Sequence, residues 1–137
     1  MRRYFCAFFL VFMICILSGC IRKNQEEETD AEYAVCDNTM LPTELVEIIE
    51  EKKEKPFTFS FVSGNYMYIL VGYGEHAANN LRVVVEDFRT TNKAIYIRTN
   101  LKSEGNEGGL EGGEPSMFPY IVIRCEKLAL PVVFEES

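Results

Sequence analysis

Phe57, Phe59 and Phe61 alternate with Thr58 and Ser60, the period of two that marks a strand with one buried face. Ser63-Gly64-Asn65 reads as a tight turn, and YMYILVG, 66–72, returns as the partner of a hairpin. LRVVVEDF, 81–88, is rich in β-branched residues. It is followed by a turn at Thr90-Thr91-Asn92-Lys93 and by a second return strand, AIYIRTNL, 94–101. PYIVIRCEK, 119–127, sets Ile121, Ile123 and Cys125 on one face, and PVVFEE, 131–136, adds a short edge strand. YAVC, 33–36, is a further short strand.

One stretch has the other period. In LPTELVEIIEEKKEKP, 41–56, Leu45, Ile48 and Ile49 recur at i, i+3 and i+4, one apolar stripe on a helix. Pro42 suits the first helical position. Glu44 and Glu47 lie toward the positive N-terminus, while Lys52, Lys53 and Lys55 lie toward the negative end. Pro56 stops the helix. The expected fold is α+β and mostly antiparallel β, a small sandwich or half-barrel with this one amphipathic helix packed on it.

The N-terminus follows neither pattern. Arg2 and Arg3 precede thirteen uncharged apolar residues, Phe5 through Leu17. That length suits the h-region of a secretory signal and falls short of the ~20 residues a spanning helix needs. The run ends in Leu17-Ser18-Gly19-Cys20, which resembles the bacterial lipobox, where lipid joins the cysteine thiol and cleavage falls just before it. The reading is a signal peptide over 1–19 and a diacylated Cys20. The alternatives are an ordinary signal with a chance cysteine, or an uncleaved short anchor. Two acyl chains, at ~0.8 kcal/mol per buried methylene, hold a protein stably on a bilayer. The expected location is the outer side of a cell membrane.

Cleavage takes 19 of the 137 residues and leaves 118, enough for one domain with a core. It also removes Arg2 and Arg3, so the formal charge moves from −7 to −9. Such an acidic chain disfavours nucleic acid, and no basic patch with interleaved aromatics is present. Residues 20–32 are read as a lipid-anchored tether. Its polar part, IRKNQEEETDAE, lacks apolar bulk beyond Ile21 and reaches at most ~40 Å. Residues 33–137 are the single folded domain.

Candidate chemistry is sparse. His76 is the only histidine, which removes a His-rich zinc set, and no metal or cofactor is expected. Of five cysteines, Cys6 and Cys15 leave with the signal and Cys20 carries lipid. Cys36 and Cys125 remain. A pair in an exported domain permits a disulfide, and two separate buried thiols are the alternative. A Cys-His nucleophile pair is formally available, but no local signature surrounds either cysteine. Gly72-Tyr73-Gly74 follows a strand without opening a helix, so it is no phosphate cradle. Glu104, Glu107, Glu111 and Glu114 lack calcium-loop spacing. The domain reads as binding rather than catalytic, and no enzyme is expected.

The succession LPTELVEIIEEKK, FSFVSGNYMYILVGYGE, AIYIRTNL, PSMFPYIVI and PVVFEE resembles the PrcB-like proteins, lipoprotein subunits of bacterial surface protease complexes. The likeness covers Leu41 to Glu136. It implies an accessory, protein-binding subunit whose partner is another exported protein, a protease among the candidates. The family's T-G-G-Y loop tip corresponds here to Ala77-Ala78-Asn79-Asn80-Leu81. Asparagine still turns, but the tyrosine is gone. Candidate partner-binding residues are Tyr73, His76, Ala77, Ala78, Asn79 and Asn80, with Met117 and Phe118 approaching the last long strand. The second function considered is a small protease-inhibitor-like or ligand-binding domain acting alone. A T-G-G-Y tip is similar by analogy to chagasin-type inhibitors, and this chain lacks it.

Overall fold

The computed structural model describes residues 27–78, 80–104 and 116–137. The segment read as a signal peptide, 1–19, and Cys20, Asn79 and most of the Gly/Glu loop lie outside the described residues. In chain order the elements are β1 (Thr29–Asp30), β2 (Ala34–Val35), α1 (Thr43–Lys52), β3 (Pro56–Ser63), β4 (Tyr66–Tyr73), β5 (Leu81–Thr90), β6 (Ile95–Ser103), β7 (Tyr120–Glu126) and β8 (Val132–Glu135). A 3-10 turn, Asn38–Met40, precedes the helix and is capped by Asp37.

The strands form two four-stranded sheets, one ordered β1-β5-β6-β8 and the other β2-β7-β4-β3. Neighbours are antiparallel except β6 and β8, which run parallel. The architecture is an α+β sandwich with no closed barrel. The helix does not close the sandwich. It covers the outer face of the β2-β7-β4-β3 sheet, making three layers.

That sheet is buried on both sides, which explains the nearly continuous apolar run of β4. Toward the other sheet point Met67 and Ile69 of β4 and Ile121, Ile123 and Cys125 of β7, which pack with Phe88, Ile95 and Ile97. Toward the helix point Tyr68, Leu70 and Val122, against Leu45 and Ile49. Phe57, Phe59 and Phe61 extend this second cluster along β3. Leu45 and Ile69 are each 0 % exposed. The helix has Glu44 in its first turn and Lys52 in its last, matching its dipole.

In β5 the inward residues change parity. Val83 and Val85 pack inward, and so does Phe88. A bulge between Val85 and Asp87 absorbs the extra residue, since a bulge sets two residues opposite one and resets which side chains face the core. The β5–β6 hairpin is fixed by Thr91, whose hydroxyl accepts from the amides of Lys93 and Ala94.

Strand pairing reaches into the segment read as a tether. Thr29 and Asp30 pair with Thr90 and Arg89, and Ala31 packs on the inter-sheet core. Among the described residues, sheet pairing therefore begins at Thr29, ahead of the boundary expected at Tyr33. Residues 20–28 can span at most ~30 Å. Arg89 holds this start. Its guanidinium lies 3.5 Å from Glu28, bonds Asp87, grips both Glu135 oxygens at 2.8 and 3.0 Å, and sits 4.5 Å from the Tyr96 ring centre. One cation thus reaches all four strands of its sheet, or in the case of β1 the residue just before it.

The Arg89 guanidinium, by hydrogen bond and then by charge, holds the Glu135 carboxyl below its ordinary value, with Arg98 adding to the charge effect. A carboxyl depressed in the folded state stabilises the fold above its unfolded pKa, and that stability is lost as pH falls through the folded value. Denaturant midpoints measured from pH 6 downward should fall as pH passes below the ordinary glutamate value of about 4.3. Glu135→Gln should flatten that decline, and an unchanged slope would show that Glu135 does not report the coupling.

Candidate functional site

The β4–β7 pairing ends at Gly72 opposite Tyr120, and the candidate residues lie just past that end. The Tyr73 amide donates to Pro119 O at 2.9 Å. After a turn at Gly74, the two chains meet again, and His76 and Met117 exchange both backbone hydrogen bonds at 2.9 Å. The structure therefore brings His76 and Met117 together as one rung joining two loops. The Glu75 amide donates to Glu54 O at 3.3 Å, and Ser116 Oγ bonds the Glu75 carboxylate. Both loops are thereby anchored to the body of the domain.

Two glycines make this end. Gly72 faces Phe57 across the strand pair, and a Cβ there would lie 2.2 Å from the Phe57 ring. The ring occupies the space a side chain would take. Gly74 takes φ +75°, with Pro56 Cδ 2.8 Å from where a Cβ would sit. Only glycine meets both demands without strain. The G-Y-G stretch is thus a packing and turning device.

Neither candidate aromatic is freely exposed. Tyr73 is half-buried and points between the sheets, where its hydroxyl and Thr99 Oγ1 are 2.8 Å apart. Tyr73, one of the candidate contact residues, thus packs against Thr99 and does not stand free on the surface. The strand alternation puts residue 73 in phase with Met67, Ile69 and Val71, all facing the other sheet. Together with Val71, Ile97 and Phe134, the Tyr73–Thr99 pair lines an open groove of about 620 Å³. Phe118 is half-buried too, with Lys53 Nζ 5.2 Å from its ring centre.

His76 Nε2 lies 3.0 Å from Tyr73 O. A carbonyl only accepts, so Nε2 carries the proton. Ala77 is exposed and Ala78 half-buried. Asn80 turns back into the fold: its Nδ2 donates to Ser103 Oγ at 2.9 Å, and its carbonyl accepts from the Glu104 amide at 2.6 Å. Asn79 lies outside the described residues.

The cysteines are kept apart from this end and from each other. Cys36 and Cys125 are both free thiols. Cys36 packs with the helix-side cluster and Cys125 with the inter-sheet cluster, so the sheet stands between them and the pairing considered from sequence is not formed. Burial pushes the Cys125 thiol pKa up. Cys125 sits opposite Met67, five residues along β7 from Tyr120. That is ~17 Å from the end that carries His76, so the two do not form a nucleophile pair. Among the described residues no group of three or more His, Cys, Asp or Glu is arranged to hold a metal ion.

Sequence reasoning missed Thr99, Phe134 and Lys53 at this end. Thr99 left one signal: it is a polar residue in phase with the inward Ile95 and Ile97, and it is only 6 % exposed.

Two substitutions test the packing. Tyr73→Phe leaves the Thr99 hydroxyl buried without its partner, and chemical denaturation should show a loss of ~1–3 kcal/mol. Gly72→Ala drives a methyl into the Phe57 ring, and a loss of ~1–3 kcal/mol is expected. A neutral result for both would mean this end is not packed as described.

The chain has no significant match among protein-family models, curated proteins or solved structures.

Proposed function

We propose that this chain is a non-catalytic accessory subunit, held on the outer side of a membrane by lipid on Cys20. It docks to another exported protein through the two-loop surface formed by His76–Asn80 and Met117–Phe118. Tyr73 supports that surface from below and is not part of the contact. The resemblance to PrcB-like proteins suggests a surface protease complex as the setting.

The observation that carries this reading is the separation of leash and loops. The chain enters the fold at Thr29, opposite Thr90, at one end of β5. Asn80 and Leu81 stand at the other end of the same strand. Nine steps of strand make this ~30 Å. The leash therefore joins the fold at the end away from the loops. His76 and Met117 are also tied together by paired backbone, which reduces the ordering entropy lost on docking. Loops held on a rigid scaffold are the usual carriers of binding.

The test replaces Ala77 and Ala78 together by arginine in the full chain, expressed in its own membranes. Circular dichroism should be unchanged, because Ala77 is exposed and Ala78 half-buried. Recovery of the co-purifying exported protein should fall at least tenfold. Recovery equal to that of the unaltered chain removes this surface from the reading. Cys20→Ala should release the chain from the membrane fraction, and retention would remove the lipid anchor.

A further inference from the structure

The two sheets have four outer strands, and three of them are short. β1 and β2 are two residues each and β8 is four. Each is flanked by carboxylates: Glu28 and Asp30, Glu32 and Asp37, and Glu135 and Glu136. Short and charged edges are the ordinary protection against strand pairing between molecules. β3 has neither. It is eight residues long, Pro56–Ser63, and no Asp, Glu, Lys or Arg occurs from Pro56 through Gly74. It carries no interior proline, and its pairing with β4 runs without a register shift.

The hairpin geometry says which groups are unpaired. Gly64 takes φ +59° and Asn65 does not share a positive φ, the pattern of a two-residue type II′ turn. In such a turn the flanking residues, Ser63 and Tyr66, are a hydrogen-bonded pair. Alternation then turns Phe61, Phe59 and Phe57 toward β4, and turns the N–H and C=O of Thr58, Ser60 and Val62 toward the open edge. The side chains of these three are exposed, Val62 by 45 %.

We propose that this edge is self-complementary and takes a second copy of the chain, β3 pairing antiparallel with β3 about a twofold axis at Ser60. In that register Ser60 meets Ser60 of the second copy, and Thr58 meets Val62 in both directions. All three outward residues then exchange both backbone bonds, which no other register achieves. Antiparallel self-pairing preserves the alternation of faces. Phe59 falls opposite Phe61 on the helix side, with the hydroxyls and Val62 on the other. The result is one continuous eight-stranded sheet.

Charge favours a second copy over an arbitrary surface elsewhere on the fold. A chain of formal charge −7 repels itself across most faces, and like charges brought together across an interface are costly. This edge brings none together, and Lys55 of one copy falls opposite Asn65 of the other. Confinement to a membrane raises the effective concentration of two such edges. The twofold runs perpendicular to the shared sheet and sets the two leashes at opposite ends, so the sheet lies along the membrane. The loop ends stay free, and this inference does not depend on what they bind.

The test uses the full chain in membranes, carrying Ser60→Cys and exposed to a mild oxidant. The two sulfurs would meet across a hydrogen-bonded pair, whose Cα separation of ~5.5 Å admits a disulfide. Disulfide-linked dimer should form at least tenfold more than with Thr58→Cys or Val62→Cys alone, which fall far from their own copies. Mixing differently tagged Thr58→Cys and Val62→Cys chains should restore the link. In sedimentation of the detergent-solubilised chain, Ser60→Lys should weaken self-association at least tenfold with an unchanged circular dichroism spectrum. No dimer from Ser60→Cys, equal dimer from all three single variants, a link to a different protein instead, or self-association unaffected by Ser60→Lys would each overturn the proposal.

Discussion

The ladder between β4 and β7 is apolar on both faces, and every other element packs on it or on something that does. Met67 pairs with Cys125 and Ile69 with Ile123 toward the second sheet. Tyr68, Leu70 and Val122 face the helix. Removing apolar surface from water drives both contacts, and a strand pair buried on two sides contributes to two cores at once. The helix, ten residues long, is too short to be stable alone. It exists because Leu45 and Ile49 find that face.

The same ladder positions the loop end. Its last pair is Gly72 with Tyr120, and the two chains stay in contact through Tyr73, Pro119, His76 and Met117. His76 and Met117 are therefore held by the most buried strands. Electrostatics organises the opposite side of the molecule. There Arg89 bonds Asp87 and Glu135 and lies beside Glu28 and Tyr96, linking the strands of the second sheet. Apolar packing fixes where the sheets are, and one guanidinium reaches the residues around β1.

Much of this was legible in the residues. The alternation in β3, the heptad-like stripe of the helix and the turns at Gly64 and Thr91 all come from local chemistry, and local chemistry is what a sequence displays. The parts that were not legible are non-local. Thr29 and Asp30 carry no apolar pattern, so a strand sustained by Arg89 and Glu28 looks like tether. The parity change across Glu86 is visible as Val83 and Val85 against Phe88, yet only the register with β6 identifies it as a bulge. Tyr73 looks like an exposed aromatic because it closes a strand beside a turn. Its direction follows from the odd-numbered inward face of β4, which requires knowing that a second sheet lies there. The free edge of β3 is a property of topology, since a hairpin strand gives no sign of which side stays open. Cys36 and Cys125 are similar in this respect: their separation comes from the sheet between them.

Amide hydrogen exchange by NMR tests the central claim most directly, because protection ranks local opening against the global unfolding free energy. The amides of Ile69, Leu70, Val122 and Ile123 should exchange slowest in the protein, at the rate set by global unfolding. Those of α1 and of the β5–β6 hairpin should open earlier. If instead the helix or the β5–β6 hairpin outlasts β4 and β7, the fold is not built on the doubly buried ladder, and the account is wrong at its base.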